Sequence, residues 1–166
     1  MRLSGLYLVT DRSMLKSRTM ESVVSEAVQG GVSIVQLREK DLCTGSFIET
    51  AVQLNELLAP LKVPLIINDR VDVALAAGVN GIHLGQSDMP YHMARKLMGS
   101  DALIGVSVET IEQVDELEAT DVDYFGVSGV FPTPTKRDLP GYWGLDGLRQ
   151  VRKRSNKPLV AIGGIK

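Results

Sequence analysis

Seven short apolar runs recur along the chain, and between successive runs lies a segment whose apolar residues repeat every three or four positions. This alternation constrains the fold more than any other feature, because strands separated by helices must run parallel and be joined by right-handed crossovers. The runs fall at 6–11, 34–40, 64–69, 81–84, 103–108, 124–131 and 158–162. The first helical segment places Met20, Val23, Val24, Ala27 and Val28 on one face, with Thr19 positioned as its cap and Gly30-Gly31 as its stop. Phe47, Ile48, Ala51, Val52, Asn55 and Leu58 share the next face, behind Ser46. Segments 71–77 and 90–98 end at Gly78 and Gly99. Ile111, Val114 and Leu117 follow Thr110, and Leu145, Leu148 and Val151 line the last helix.

Two architectures fit such an alternation, an open doubly wound sheet and a (β/α)8 barrel. Side chains alternate faces along a strand. In 34–40, Gln36, Arg38 and Lys40 share one face and Val35, Leu37 and Glu39 the other. Ile82 and Leu84 would face helices and His83 would face inward; Ile104 and Val106 would do the same against Gly105 and Ser107. An open sheet covered by helices wants both faces apolar. A barrel tolerates polar groups inside, near the C-terminal ends of its strands. The expected fold is therefore an α/β TIM barrel, a single domain over 1–166. A complete barrel has eight strands and usually at least ~200 residues, whereas this chain has 166. The sequence thus reads as a portion of a longer protein, truncated after the seventh strand and lacking the eighth strand and last helices, with the edges of strands one and seven exposed.

Composition narrows the function. A formal net charge of −2 gives no bulk attraction to nucleic acid. No apolar run is long enough to span a bilayer, and the opening Met1-Arg2-Leu3-Ser4-Gly5 has no signal-peptide core. The lone Cys43 excludes an internal disulfide and a cysteine metal site. A cytoplasmic location is the default expectation. The oligomeric state is not fixed by the sequence, which is compatible with a homo-oligomer.

Each polar cluster sits at the end of an expected strand, the catalytic rim of a barrel. Gln36, Arg38 and Lys40 put two fixed cations and an amide on one face, a set suited to a polyanion such as diphosphate; surface charge at a strand end is the plainer alternative. Asp69 follows the third run, behind Asn68, and Asp88 follows the fourth. Carboxylates beyond neighbouring strands can meet over one Mg²⁺, which commonly also joins substrate phosphates. The alternative is that each caps the helix after it. Thr133, Thr135 and Lys136 lie on a loop stiffened by Pro132 and Pro134 and can hold an anion. Gly163-Gly164 allow backbone N–H groups to approach a phosphate, or simply make a tight turn. His83 reads as a hydrogen-bonded interior residue, His92 as a surface one, and Trp143 as a packing residue. No Ser or Cys stands beside an identifiable base, so nucleophilic catalysis has no support.

Taken together, Gln36-Leu37-Arg38-Glu39-Lys40, Ile67-Asn68-Asp69-Arg70, His83-Leu84-Gly85-Gln86-Ser87-Asp88, Ile104-Gly105-Val106-Ser107, Phe131-Pro132-Thr133-Pro134-Thr135-Lys136 and Ile162-Gly163-Gly164 resemble the ordered motif set of the thiamine phosphate synthase family. The resemblance implies a Mg²⁺-dependent transferase. Its small-molecule substrates would be hydroxymethylpyrimidine diphosphate and a hydroxyethylthiazole phosphate or its carboxylated form. It further implies that Gln36, Arg38, Lys40, Asn68, Ser107 and Lys136 hold the pyrimidine diphosphate, with Arg38, Lys40, Ser107 and Lys136 acting catalytically. Asp69 and Asp88 would hold Mg²⁺, and Thr133, Thr135 and Gly164 the thiazole phosphate. Leu37, Glu39 and Pro134 complete the substrate-binding motifs. Ser128-Gly129-Val130 stands where the family often has Gly-Pro, and the family's eighth strand supplies phosphate contacts this chain would lack. A TenI-type thiazole tautomerase is the competing enzyme, but such relatives usually lack the carboxylates and the Thr-x-Thr-Lys loop. A non-catalytic phosphate-binding barrel is the third reading.

Overall fold

The computed structural model describes residues 3–133 and 141–165. Among them, β1 (Leu6–Val9), β2 (Val32–Leu37), β3 (Leu65–Asn68), β4 (Gly81–Leu84), β5 (Leu103–Val108), β6 (Tyr124–Ser128) and β7 (Leu159–Ile162) alternate with α1 (Met20–Gln29), α2 (Thr44–Leu58), α3 (Val71–Ala76), α4 (Tyr91–Met98), α5 (Ile111–Glu118) and α6 (Gly144–Arg154). Every strand pairs in parallel with the next, giving the sheet order β1-β2-β3-β4-β5-β6-β7.

One contact shows that this sheet is rolled. The hydroxyls of Tyr7 on β1 and Tyr124 on β6 lie 2.8 Å apart. In a flat sheet those strands would be separated by five spacings of about 4.8 Å. Seven parallel strands thus curl into most of a (β/α)8 barrel, as the side-chain alternation predicts. Within the described residues, β1 and β7 each have a strand neighbour on one side only, and Leu6 and Ile162 are exposed there.

The apolar residues divide as the alternation requires. Val35, Leu37, Ile67, Ile82, Leu84 and Ile104 face outward and pack with Val24, Phe47, Ala51, Leu54, Val71 and Ala94 of the helices. A second cluster joins Val106, Val108, Phe125 and Val127 to Val114 and Val151. The inner face carries Tyr7, Gln36, His83 and Tyr124, which interact with one another across the barrel. Thr19 caps α1 by accepting from Ser22 N, and Thr110 with Gln113 forms a reciprocal capping box on α5. No described helix is long and apolar enough to cross a membrane.

Several expected boundaries move. β1, β2, β3 and β6 stop one to three residues early, at Val9, Leu37, Asn68 and Ser128. The reason is local in each of two cases. Arg38 N–H leaves the ladder to donate to the Thr10 hydroxyl at 3.0 Å, and Asp69 turns into the left-handed region at φ 65°. The inward alternation expected for Arg38 and Lys40 therefore does not extend that far; both lie on a loop. α2 starts at Thr44, ahead of Ser46, with Cys43 at its N-cap position and no side-chain cap bond. Leu145 is exposed, so α6 is buried chiefly through Val151, with Leu148 and Trp143 packed beside it.

Candidate active site

At the C-terminal ends of β2, β3 and β4 three charged side chains meet. Lys40 Nζ lies 2.6 Å from Asp69 Oδ2. Asp69 in turn stands against the carboxyl of Asp88, whose proton affinity is raised, first by burial and next by this contact. Asp88 Oδ2 also accepts the Gly85 N–H at 2.7 Å, which bends the loop after β4 toward the site. The capping alternative does not describe either acid: α3 is capped at Arg70 and α4 at Pro90, neither with a side-chain cap bond. Arg70 itself is engaged elsewhere, with Asp72 and Thr44.

The described residues contain no group of three or more metal-ligating side chains. A two-carboxylate pair still fits Mg²⁺, which keeps several waters and takes one or two carboxylates plus substrate phosphates. The charge balance points the same way. Two carboxylates share one ammonium at the site, and burial, with the neighbouring Asp69 next, makes Asp88 hold its proton more tightly.

Arg38, half-buried on the same loop as Lys40, forms no ion pair among the described residues. Its charge helps to hold the Asp11 carboxyl below the usual range, after the hydrogen bonds from Ser13. Glu39 points the other way. Its carboxylate, 3% exposed, is held by Arg12 through Nε at 3.0 and 2.9 Å and through a second nitrogen at 2.8 Å. Leu37 is buried in the outer core. These two residues of the Gln36–Lys40 motif therefore shape the loop that carries Arg38 and Lys40.

Asn68 and His83 face each other across the β3–β4 register and are both buried. Ser107 hydrogen-bonds His83 Nε2 through Oγ at 2.9 Å, and Gln86 donates to its backbone carbonyl. Gln36, buried, donates to the Tyr7 hydroxyl at 2.8 Å. The loops after β6 and β7 are stitched together by Val130 N–H to Ile162 O at 3.0 Å and Phe131 N–H to Gly163 O at 2.8 Å. Gly164 has φ 66°, and a Cβ there would fall 2.6 Å from Pro132 O. Only glycine permits this approach. It brings Gly164 to the loop that carries Thr133. Pro134, Thr135 and Lys136 lie outside the described residues.

Sequence reasoning missed Tyr7, Thr10, Arg12 and Tyr124. Strict alternation through β1 was a usable signal for Tyr7, a polar-tipped aromatic at an inward position. Nothing in the sequence pairs Arg12 with Glu39.

A parallel barrel whose strand ends gather cations, an acidic pair and a glycine-built loop defines an anion-handling α/β-barrel protein. The model of the thiamine monophosphate synthase family matches residues 6–166, and the chain belongs to that family. It is 58% identical over 160 residues to a thiamine-phosphate synthase of Albidiferax ferrireducens, covering 96% of this chain and 73% of that one. A thiamine-phosphate synthase of Leptospira biflexa is 48% identical over 168 residues, covering 99% and 80% respectively. The thiamine phosphate pyrophosphorylase of Pyrococcus furiosus superposes with a TM-score of 0.86 at 38% identity, over 97% of this chain and 75% of that structure.

Proposed function

We propose that the chain is a transferase joining hydroxymethylpyrimidine diphosphate to hydroxyethylthiazole phosphate, or its carboxylated form, to give thiamine phosphate and diphosphate. The observation that carries this reading is the meeting of Lys40, Asp69 and Asp88 at adjacent strand ends, in a chain of this family. Asp69 and Asp88 would hold Mg²⁺, which when bound would screen the charge of the diphosphate.

Arg38 and Lys40 bind the same diphosphate and favour the negative charge that grows as it departs. Ser107 offers a hydroxyl and Asn68 an amide at the inner edge of that pocket. Gln36, anchored to Tyr7, orients the pyrimidine. The aminopyrimidine is electron-rich and supports a cation at its exocyclic methylene once the C–O bond to diphosphate breaks. The thiazole nitrogen then supplies the electron pair for the new C–N bond. That step needs no general base. The thiazole phosphate lies against Thr133 and the Gly164 backbone; Thr135 and Lys136, which the family resemblance assigns to the thiazole phosphate and the diphosphate, lie outside the described residues. The chain's main contribution is to hold two substrates in line and balance charge.

Incubation of the chain with both substrates and Mg²⁺, with separation of the products, tests this. Equimolar thiamine phosphate and diphosphate is the expected result. A folded chain that leaves both substrates intact contradicts it.

A further inference from the structure

Five side chains from five strands form one unbroken line of hydrogen bonds across the barrel interior. Gln36 Nε2 on β2 donates to Tyr7 Oη on β1 at 2.8 Å. Tyr7 Oη lies 2.8 Å from Tyr124 Oη on β6, and Tyr124 Oη lies 3.1 Å from His83 Nδ1 on β4. His83 Nε2 lies 2.9 Å from Ser107 Oγ on β5. Tyr124 is fully buried, and Gln36 and His83 are nearly so.

The backbone makes room for this line. A Cβ on Gly105 would fall 2.0 Å from Tyr124 Cζ, and one on Gly126 would fall 2.7 Å from His83 Cε1. Barrel interiors are usually filled by bulky branched residues. Here β5 and β6 carry glycines where the two rings pass.

Donor arithmetic fixes the direction of the line. An amide nitrogen only donates, and a phenol has a single proton. Tyr7 accepts from Gln36, and the Tyr124 hydroxyl is the one acceptor its own proton meets among the described contacts, so that proton goes to Tyr124. Tyr124 accepts that proton's bond, so its own goes to His83 Nδ1. An Nδ1 that accepts belongs to a neutral imidazole protonated at Nε2. Nε2–H then donates to Ser107 Oγ, and the proton of Ser107 is left to point away from His83, toward the strand-end site. The reverse direction would aim the Ser107 proton at His83 and present only lone pairs to an anion. Burial pushes the Tyr7 phenol up to about 12, so this group keeps its proton at neutral pH.

We infer that Gln36 sets the direction of every proton along this line, so that Tyr7, Tyr124 and His83 are positioning residues that present the Ser107 hydroxyl to a phosphate ester as a donor. That the acceptor is a diphosphate oxygen rests on the function proposed above; the direction of the line does not.

The two claims separate experimentally. The first arm uses chain labelled with ¹⁵N-histidine, with His92→Gln to assign the signals, His92 being exposed and the one other histidine. At neutral pH the expected His83 spectrum has a protonated Nε2 and an unprotonated Nδ1. The opposite tautomer, or an imidazolium, overturns the inference whatever the turnover. In the second arm, Tyr124→Phe keeps the ring and cuts the line. It should leave His83 averaged between tautomers and lower turnover on the order of tenfold. In a Ser107→Ala background the same change should add less than about twofold, because its effect runs through Ser107. Independent, multiplying losses overturn the positioning role. Tyr7→Phe cuts the line one step earlier and replaces Tyr124→Phe should that variant not fold. Absence of turnover in the unaltered chain would refute the proposed reaction and leave the spectrum to decide the line.

Discussion

Lys40 Nζ sits 2.6 Å from Asp69 Oδ2, while the other acid of the pair, Asp88, presses on Asp69 from the next strand end. One cation between two carboxylates leaves the site one positive charge short. Asp69→Asn combined with Asp88→Asn should therefore keep the fold and lose the response to Mg²⁺. Turnover should drop by roughly 10²–10³, the usual scale for removing a transition-state charge stabiliser. Circular dichroism and a Mg²⁺ titration of the rate are the measurements; a double variant with an unchanged metal response would refute the assignment.

Arg12 grips Glu39 with both ends of its carboxylate while that carboxylate is almost wholly buried. Arg12→Met leaves the anion without its partner and should cost about 1–3 kcal/mol in denaturant unfolding. Arg12→Met with Glu39→Gln should recover part of that loss, since no buried charge is then stranded. Either single change should raise KM for the pyrimidine diphosphate more than it lowers kcat, because the clamp shapes the loop bearing Arg38 and Lys40. A kcat loss at constant KM would assign the clamp some other role.

The two interior phenols give a signed pH dependence. Burial raises Tyr7 to about 12 and Tyr124 well above its ordinary value. A pKa above the unfolded value of about 10 stabilises the fold below that pH and is lost as pH climbs toward the folded value. Stability should thus fall as pH rises from about 10 toward 12. Phenolate absorbance from Tyr7 and Tyr124 should grow only as circular dichroism is lost. Tyr7→Phe should remove part of that late absorbance. Ionisation of both phenols in an intact fold is the contrary outcome.

Much of the architecture was legible because strand alternation is a two-residue rule that burial enforces. Val35 and Leu37 pack outward and Gln36 inward, and Ile82, His83 and Leu84 follow the same division. The capping signals at Thr19 and Thr110 were equally local, and both caps form. Strand ends were less legible, because a Thr10 hydroxyl 28 residues away in sequence decides where Arg38 leaves the ladder. The same limit explains the site. Asp69 and Asp88 could be paired from strand adjacency alone, whereas the Tyr7–Tyr124 contact, 117 positions apart, arises only when the sheet closes on itself; the Arg12–Glu39 clamp joins the loops after neighbouring β1 and β2, where no periodic pattern marks it. Glycine at 105 and 126 was the one written hint that something large crosses the interior.

The central claim is that Asp69 and Asp88 hold a divalent cation against a diphosphate gripped by Arg38 and Lys40. Crystals of the chain grown with pyrophosphate and Mn²⁺, with anomalous data collected for the manganese, test it most directly. The account predicts one anomalous peak bridging the two carboxylates to pyrophosphate oxygens, with Lys40 released from Asp69 toward the anion. Pyrophosphate bound without a peak between the acids, or a peak at some other part of the barrel, would contradict it.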